Sequence, residues 1–151
     1  LRFALASGNA PGNDMRFSDE KLEAARNFAN KLWNASRFVL MNLEEGDSAT
    51  LPALSELAPE DRWILSRLSR TVKSVTANIE HFELGIALSE IYDFTWDLFC
   101  DWYIEMAKSR IFERGTKEAA TARRVLLYVL TAILKSAEEF TSGVLVDILV
   151  T

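Results

Sequence analysis

Four separate stretches of this chain place apolar residues at alternating steps of three and four, and that spacing leaves few folds open. Such residues keep to one side of an α-helix, so each stretch carries a stripe that another helix must cover. The first stretch starts at Ser18, an N-cap residue followed by Asp19 and Glu20, whose charges suit a helix N-terminus. Its stripe is Leu22, Ala25, Ala29, Leu32, Ser36, Val39 and Leu43. A second begins at Pro59, Glu60 and Asp61 and turns inward Ile64 or Leu65, Leu68, Val72, Val75 and Ile79. In the third, long helix the stripe is Leu88, Ile91, Thr95, Leu98, Trp102 and Met106, broadened by Phe94, Phe99 and Tyr103. Thr116 caps a fourth, with Ala119, Ala122, Val125 or Leu126, Val129 and Ile133 inside. Polar connections between the stripes predict an all-α, up-and-down bundle of four to five helices over residues 18–135. The turn-rich opening, residues 1–17, is expected to be a linker, and the tail 136–151 a partial fifth helix or a strand.

The totals exclude most catalytic chemistry. With 151 residues, 49% hydrophobic, the chain is of single-domain size and able to bury a core. A lone cysteine, Cys100, allows no internal disulfide and no multi-cysteine metal site, and suits a reducing cytoplasm. A di-metal bundle needs two Glu-x-x-His pairs, but His81 is the only histidine and follows Asn78 at that spacing. No GxGxxG or GxxxxGK[ST] phosphate cradle is present. The ladder Asp93, Asp97, Asp101, Glu105 reads as a solvated helix face. No catalytic residue and no metal site are expected, and no apolar run reaches the ~18 to 20 residues that span a bilayer.

Charge is segregated along the chain. The net charge is −5, yet Glu80 to Glu105 holds seven acids and no Lys or Arg, whereas Met106 to Lys135 holds seven basic residues against Glu113 and Glu118. An acidic total can therefore coexist with a basic face, although solvated helix surfaces carrying ordinary charge are the better reading of any one set.

Phe38 breaks the pattern of the first helix. With residues about 100° apart and Leu22 at zero, Phe38 lies at roughly 160°, opposite the stripe, beside Lys31 at roughly 180°, Asn27 at roughly 140° and Asn34 at roughly 120°. Arg37 flanks them. A flat ring, two amides and two cations within three turns supply what an unstacked RNA base requires: stacking, hydrogen-bond donors and acceptors, and charge for its phosphate. The bland alternative is that Phe38 fills a gap against another helix. Trp33, Trp63, Trp96, Phe99, Trp102 and Tyr103 are expected in the core.

Several long words also agree with one family. RNFANKLWNASRFVLM (26–41), GNDMRF (12–17), DRWILSRL (61–68) and IYDFTWDLFCDWYIEMAKSR (91–110) closely resemble the anticodon-binding domain of valyl-tRNA synthetases, from Leu1 to about Lys135. The resemblance implies a helical bundle that follows a class I catalytic domain and grips the anticodon arm of tRNA for valine. It implies Leu1 to Ser7 as the end of the helix after the KMSKS loop. By position it implies Lys31, Arg37 and Phe38 as anticodon contacts, with Asn27 and Asn34 beside them, and Arg16 and Arg26 as backbone or supporting contacts. Lys108, Arg110, Arg114, Arg123 and Arg124 are weaker candidates for the tRNA backbone. Neither HIGH nor KMSKS occurs here, so ATP and valine activation are expected only of a full enzyme, with no cofactor in this stretch. The expected partners are valine tRNA and the catalytic domain of the same enzyme, without membrane or DNA. Where the family continues with words like LHPFMPFxTEEIW, this chain has SAEEFTSGVLVDILVT. The rival class is a protein-interaction or regulatory bundle without RNA.

Overall fold

Each expected helix forms, with its ends set by side chains the sequence already displays. The computed structural model describes Phe3 and residues 18–137; the expected linker apart from Phe3, and the tail beyond Ala137, lie outside them. Helix α1 (Asp19–Met41) opens at Ser18, whose hydroxyl oxygen accepts a hydrogen bond from the Lys21 N–H at 3.4 Å. Helix α2 (Pro59–Glu80) starts with the Asp61 carboxylate accepting from the Ala58 N–H at 3.0 Å. The third rod is continuous: α3 (Leu84–Asp93), a π-helical segment (Phe94–Tyr103) and α4 (Ile104–Phe112). Helix α5 (Lys117–Ala137) is capped by the Thr116 hydroxyl, which accepts from the Ala119 N–H at 3.1 Å. Among the described residues there is no strand, and no helix is long and apolar enough to cross a membrane.

The rods bury one main core. Leu32 and Val39 of α1, Ile64 and Leu68 of α2, Phe99 and Tyr103 of the π segment, and Leu126, Val129 and Ile133 of α5 meet in it. A smaller cluster, Val75, Ala87, Leu88 and Ile91, takes Phe3 against it. All of the fourth predicted stripe is buried. In α2 the prediction holds for Ile64, Leu68 and Val75, whereas Val72 and Ile79 are exposed.

The third rod departs from its predicted stripe, and the π segment is the reason. A π-helix bonds i to i+5 instead of i to i+4, so its turns are wider and residues come back to the same side at longer steps than the α-helix's 3.6. Buried Phe94 and Phe99 are five apart, as are buried Thr95 and Cys100; Tyr103, Ile104, Ala107 and Ile111 then continue inside. Leu98 stays half-buried against the core, whereas Trp102 and Met106 are rotated outward: Trp102 is 61% exposed, where a core position was expected. Trp33, also expected in the core, is 43% exposed, while Trp63 and Trp96 are half-buried.

A buried ion network ties α2 to the third rod. Asp61, wholly buried, accepts from the Tyr103 hydroxyl at 2.7 Å and from two Arg110 nitrogens at 2.9 and 2.5 Å. Burial alone would raise the Asp61 pKa, but the hydrogen bonds from Arg110 and Tyr103 and the charge of Arg110 outweigh it and leave it lowered. The loop between α1 and α2 is fastened similarly. Arg123, 4% exposed, donates to Asp47 at 2.5 Å and Glu44 at 2.8 Å, and Arg124 donates to the Thr50 carbonyl at 3.1 Å.

Candidate nucleic-acid interface

Two of the residues singled out by the helical wheel, Lys31 and Phe38, meet side chains of the third rod. Phe38 is half-buried, packed by one side against the main core, not fully wet as its angle suggested. The wheel treats α1 as facing one neighbour, but its sides meet both the π segment and α5, so the covered sector is broader than the stripe. The Lys108 ammonium lies 5.7 Å from the Phe38 ring centroid. A residue from α4, expected only as a weak backbone contact, is thereby brought to the ring.

Lys31 is held in a defined place. Its ammonium donates to Asp101 Oδ1 at 2.7 Å and sits 3.9 Å from the centroid of Trp96, a cation–π contact. Trp96 stacks on Tyr92 at 5.4 Å, Tyr92 lies 5.0 Å from buried Phe28, and Phe28 stacks on Phe3 at 4.8 Å. Burial, followed by the charges of Asp97 and Asp93, raises the Tyr92 pKa. This column of rings gives Trp96 a rigid backing and fixes the height at which Lys31 emerges.

The other candidates divide into two groups. Arg37, Asn27, Asn34, Arg26 and Arg114 are exposed, and Arg37 makes no ion pair among the described residues. Arg16 lies outside the described residues. The guanidinium groups of Arg110 and Arg123, weaker candidates for the tRNA backbone, are both paired with carboxylates within the fold, and a phosphate would have to displace those partners. Arg124 spends one donor on Thr50 and is half-buried. Lys108 pairs with Glu105 at 2.5 Å.

Beside this face the outward rotation of the rod creates an apolar groove of ≈ 530 Å³ between Trp63, Leu98, Trp102 and Met106, with Pro59 and Glu60 at its end. Sequence reasoning missed it, because the only signal was a run of aromatics whose facing depends on the π winding. No group of three or more metal-ligating side chains occurs among the described residues. Cys100 is buried and its thiol is pushed up to about 12, chiefly by desolvation, so it offers no nucleophile.

Residues 61–141 match the sequence family described as the anticodon-binding domain of tRNA ligase. The valine–tRNA ligase of Clostridium acetobutylicum is 56% identical over 135 residues, which cover 89% of this chain and 15% of the relative. That of Carboxydothermus hydrogenoformans is 52% identical over 140 residues, 93% of this chain and 16% of the relative. That of Bacillus anthracis is 46% identical over the same length and coverage. The chain thus spans about one-sixth of the length of the curated relatives it matches.

Proposed function

We propose, since the chain belongs to the anticodon-binding domain family of tRNA ligases and within it stands with the valine–tRNA ligases, that it binds the anticodon arm of valine tRNA. The observation that carries this reading is the setting of Phe38, a partly open ring with the Lys108 ammonium 5.7 Å from its centroid and exposed Arg37 next to it in sequence, while Lys31 lies over Trp96 of the third rod. The ring is half-buried and packs against the main core. The remaining surface is available to a base, and stacking on such a ring contributes about 1 to 3 kcal/mol per base. Arg37, Asn34 and Asn27 supply donors and acceptors for base edges and phosphate, with Arg26 and Arg114 as outer backbone contacts.

Valine codons fix adenine in the middle and cytosine third in the anticodon, so those two bases are the ones the site reads. Valine activation with ATP belongs to the longer polypeptide, in the cytoplasm, with its catalytic domain as the covalent partner of this bundle. The test is titration of a valine anticodon hairpin. Phe38→Ala weakens binding by about 1 to 3 kcal/mol and lowers thermal stability less than Leu32→Ala, where loss of a fully buried side chain costs about 2 to 5 kcal/mol. Unchanged binding by a folded Phe38→Ala protein leaves the ring a packing residue and removes the proposal.

A further inference from the structure

The basic face contains its own anions. Lys108 lies 5.7 Å from the Phe38 ring and Lys31 lies over Trp96, yet each ammonium is already paired: Lys31 with Asp101 at 2.7 Å, and Lys108 with Glu105 at 2.5 Å. The two carboxylates project from the third rod, which lies across from α1, and are 53% and 58% exposed. They continue the acidic ladder of Asp93 and Asp97, neither of which has an ion pair among the described residues. Two of the four acids are therefore matched to cations, and these two cations lie against aromatic rings, Lys31 over Trp96 and Lys108 near Phe38.

We propose that Asp101 and Glu105 are counter-charges that occupy Lys31 and Lys108 in place of RNA and are displaced from them when RNA binds. This rests on the reading of the Phe38 face as the RNA-binding surface. An ammonium that leaves a carboxylate for a phosphate exchanges one ion pair for another, so its net gain is small. The released carboxylate stays within a Debye length, about 8 Å at physiological ionic strength, and repels the incoming phosphate. Phosphates alone thus gain little from Lys31 and Lys108, and exposed Arg37, which has no ion pair among the described residues, carries most of the backbone attraction. Base stacking at Phe38 must supply the rest. The Trp96 contact keeps Lys31 in reach during the exchange, because a cation–π contact survives when the carboxylate lets go.

The experiment compares the chain with its D101N/E105Q variant on two RNA hairpins, one with the valine anticodon and one with a scrambled loop. Freeing two cations tightens both by about tenfold near physiological salt and steepens the log–log salt dependence by about 1.4, the increment for two single-strand phosphate contacts. Thermal unfolding stays unchanged, as the removed pairs are exposed. D93N/D97N makes the same change in net charge and gives a much smaller effect; if it matches D101N/E105Q, the effect is bulk charge and the proposal is overturned. If Phe38→Ala weakens binding but D101N/E105Q leaves it unchanged or weaker, the reading of the site stands and the proposal fails. Should Phe38→Ala bind as well as the parent while D101N/E105Q tightens binding, the counter-charge role stands and the Phe38 reading fails. No binding by either protein removes both.

Discussion

Single residues in this domain show two kinds of departure from what their chemistry suggests. Phe82 is a non-glycine residue with φ of 61°, in the left-handed region. It occupies C′ of a Schellman motif closing α2: its N–H donates to the Ile79 carbonyl at 3.0 Å, and the Glu83 N–H donates to Asn78 at 2.8 Å. Its ring is 82% exposed and repays little of the strain. Phe82→Gly is therefore expected to stabilise the fold by about 1 kcal/mol, read as a higher denaturation midpoint. Cys100 shows the other kind, a reactive group silenced by its surroundings. In native protein it should react with a disulfide reagent at pH 8 far more slowly than in denaturant, and rapid native labelling would show that the π segment opens readily.

At the scale of elements, the joint between α2 and the third rod centres on Asp61, with Glu60 3.1 Å from the same Arg110 guanidinium. Asp61→Ala leaves Arg110 buried without its bidentate partner and Tyr103 without its acceptor, which should cost about 3 to 5 kcal/mol in a urea titration. A loss below 1 kcal/mol would mean that water takes the place of the carboxylate. The same pair explains two of the family-like words: DRWILSRL supplies the acid, and the end of IYDFTWDLFCDWYIEMAKSR supplies the phenol and the guanidinium. In the π segment, the wider turn exchanges Trp102 for Tyr103 on the inner face. That exchange puts the phenol against Asp61 and brings Asp101 to Lys31. The interface geometry is thus a consequence of winding as much as of composition.

For the whole molecule, acid sensitivity follows from Asp61. Its pKa is lowered on folding, so the stability it contributes is complete above the unfolded value of about 3.9 and is lost as pH falls below that, through the folded value. Unfolding midpoints between pH 6 and pH 2 should fall more steeply for the parent than for Asp61→Asn, which is less stable at neutral pH but lacks this term; parallel curves would contradict the assignment. Much of the fold was legible in the chain itself. Helix number, the caps at Ser18 and Thr116, the start at Pro59 and the buried face of α5 follow from spacing and local hydrogen bonding, which depend on neighbours in sequence. The stacking candidate Phe38 and its neighbours Lys31 and Arg37 were legible for the same reason, since they lie within two turns of one helix. What tertiary structure alone decided is which cations are spent and which are free. Arg110 and Arg123 look like Arg37 in sequence, but carboxylates 49 and 76 residues away hold them inside. Lys108 meets Phe38, and Asp101 meets Lys31, only because helices distant in sequence pack side by side. Periodicity reports the side a residue takes on its own helix; it carries no information about the charge that arrives from the facing one.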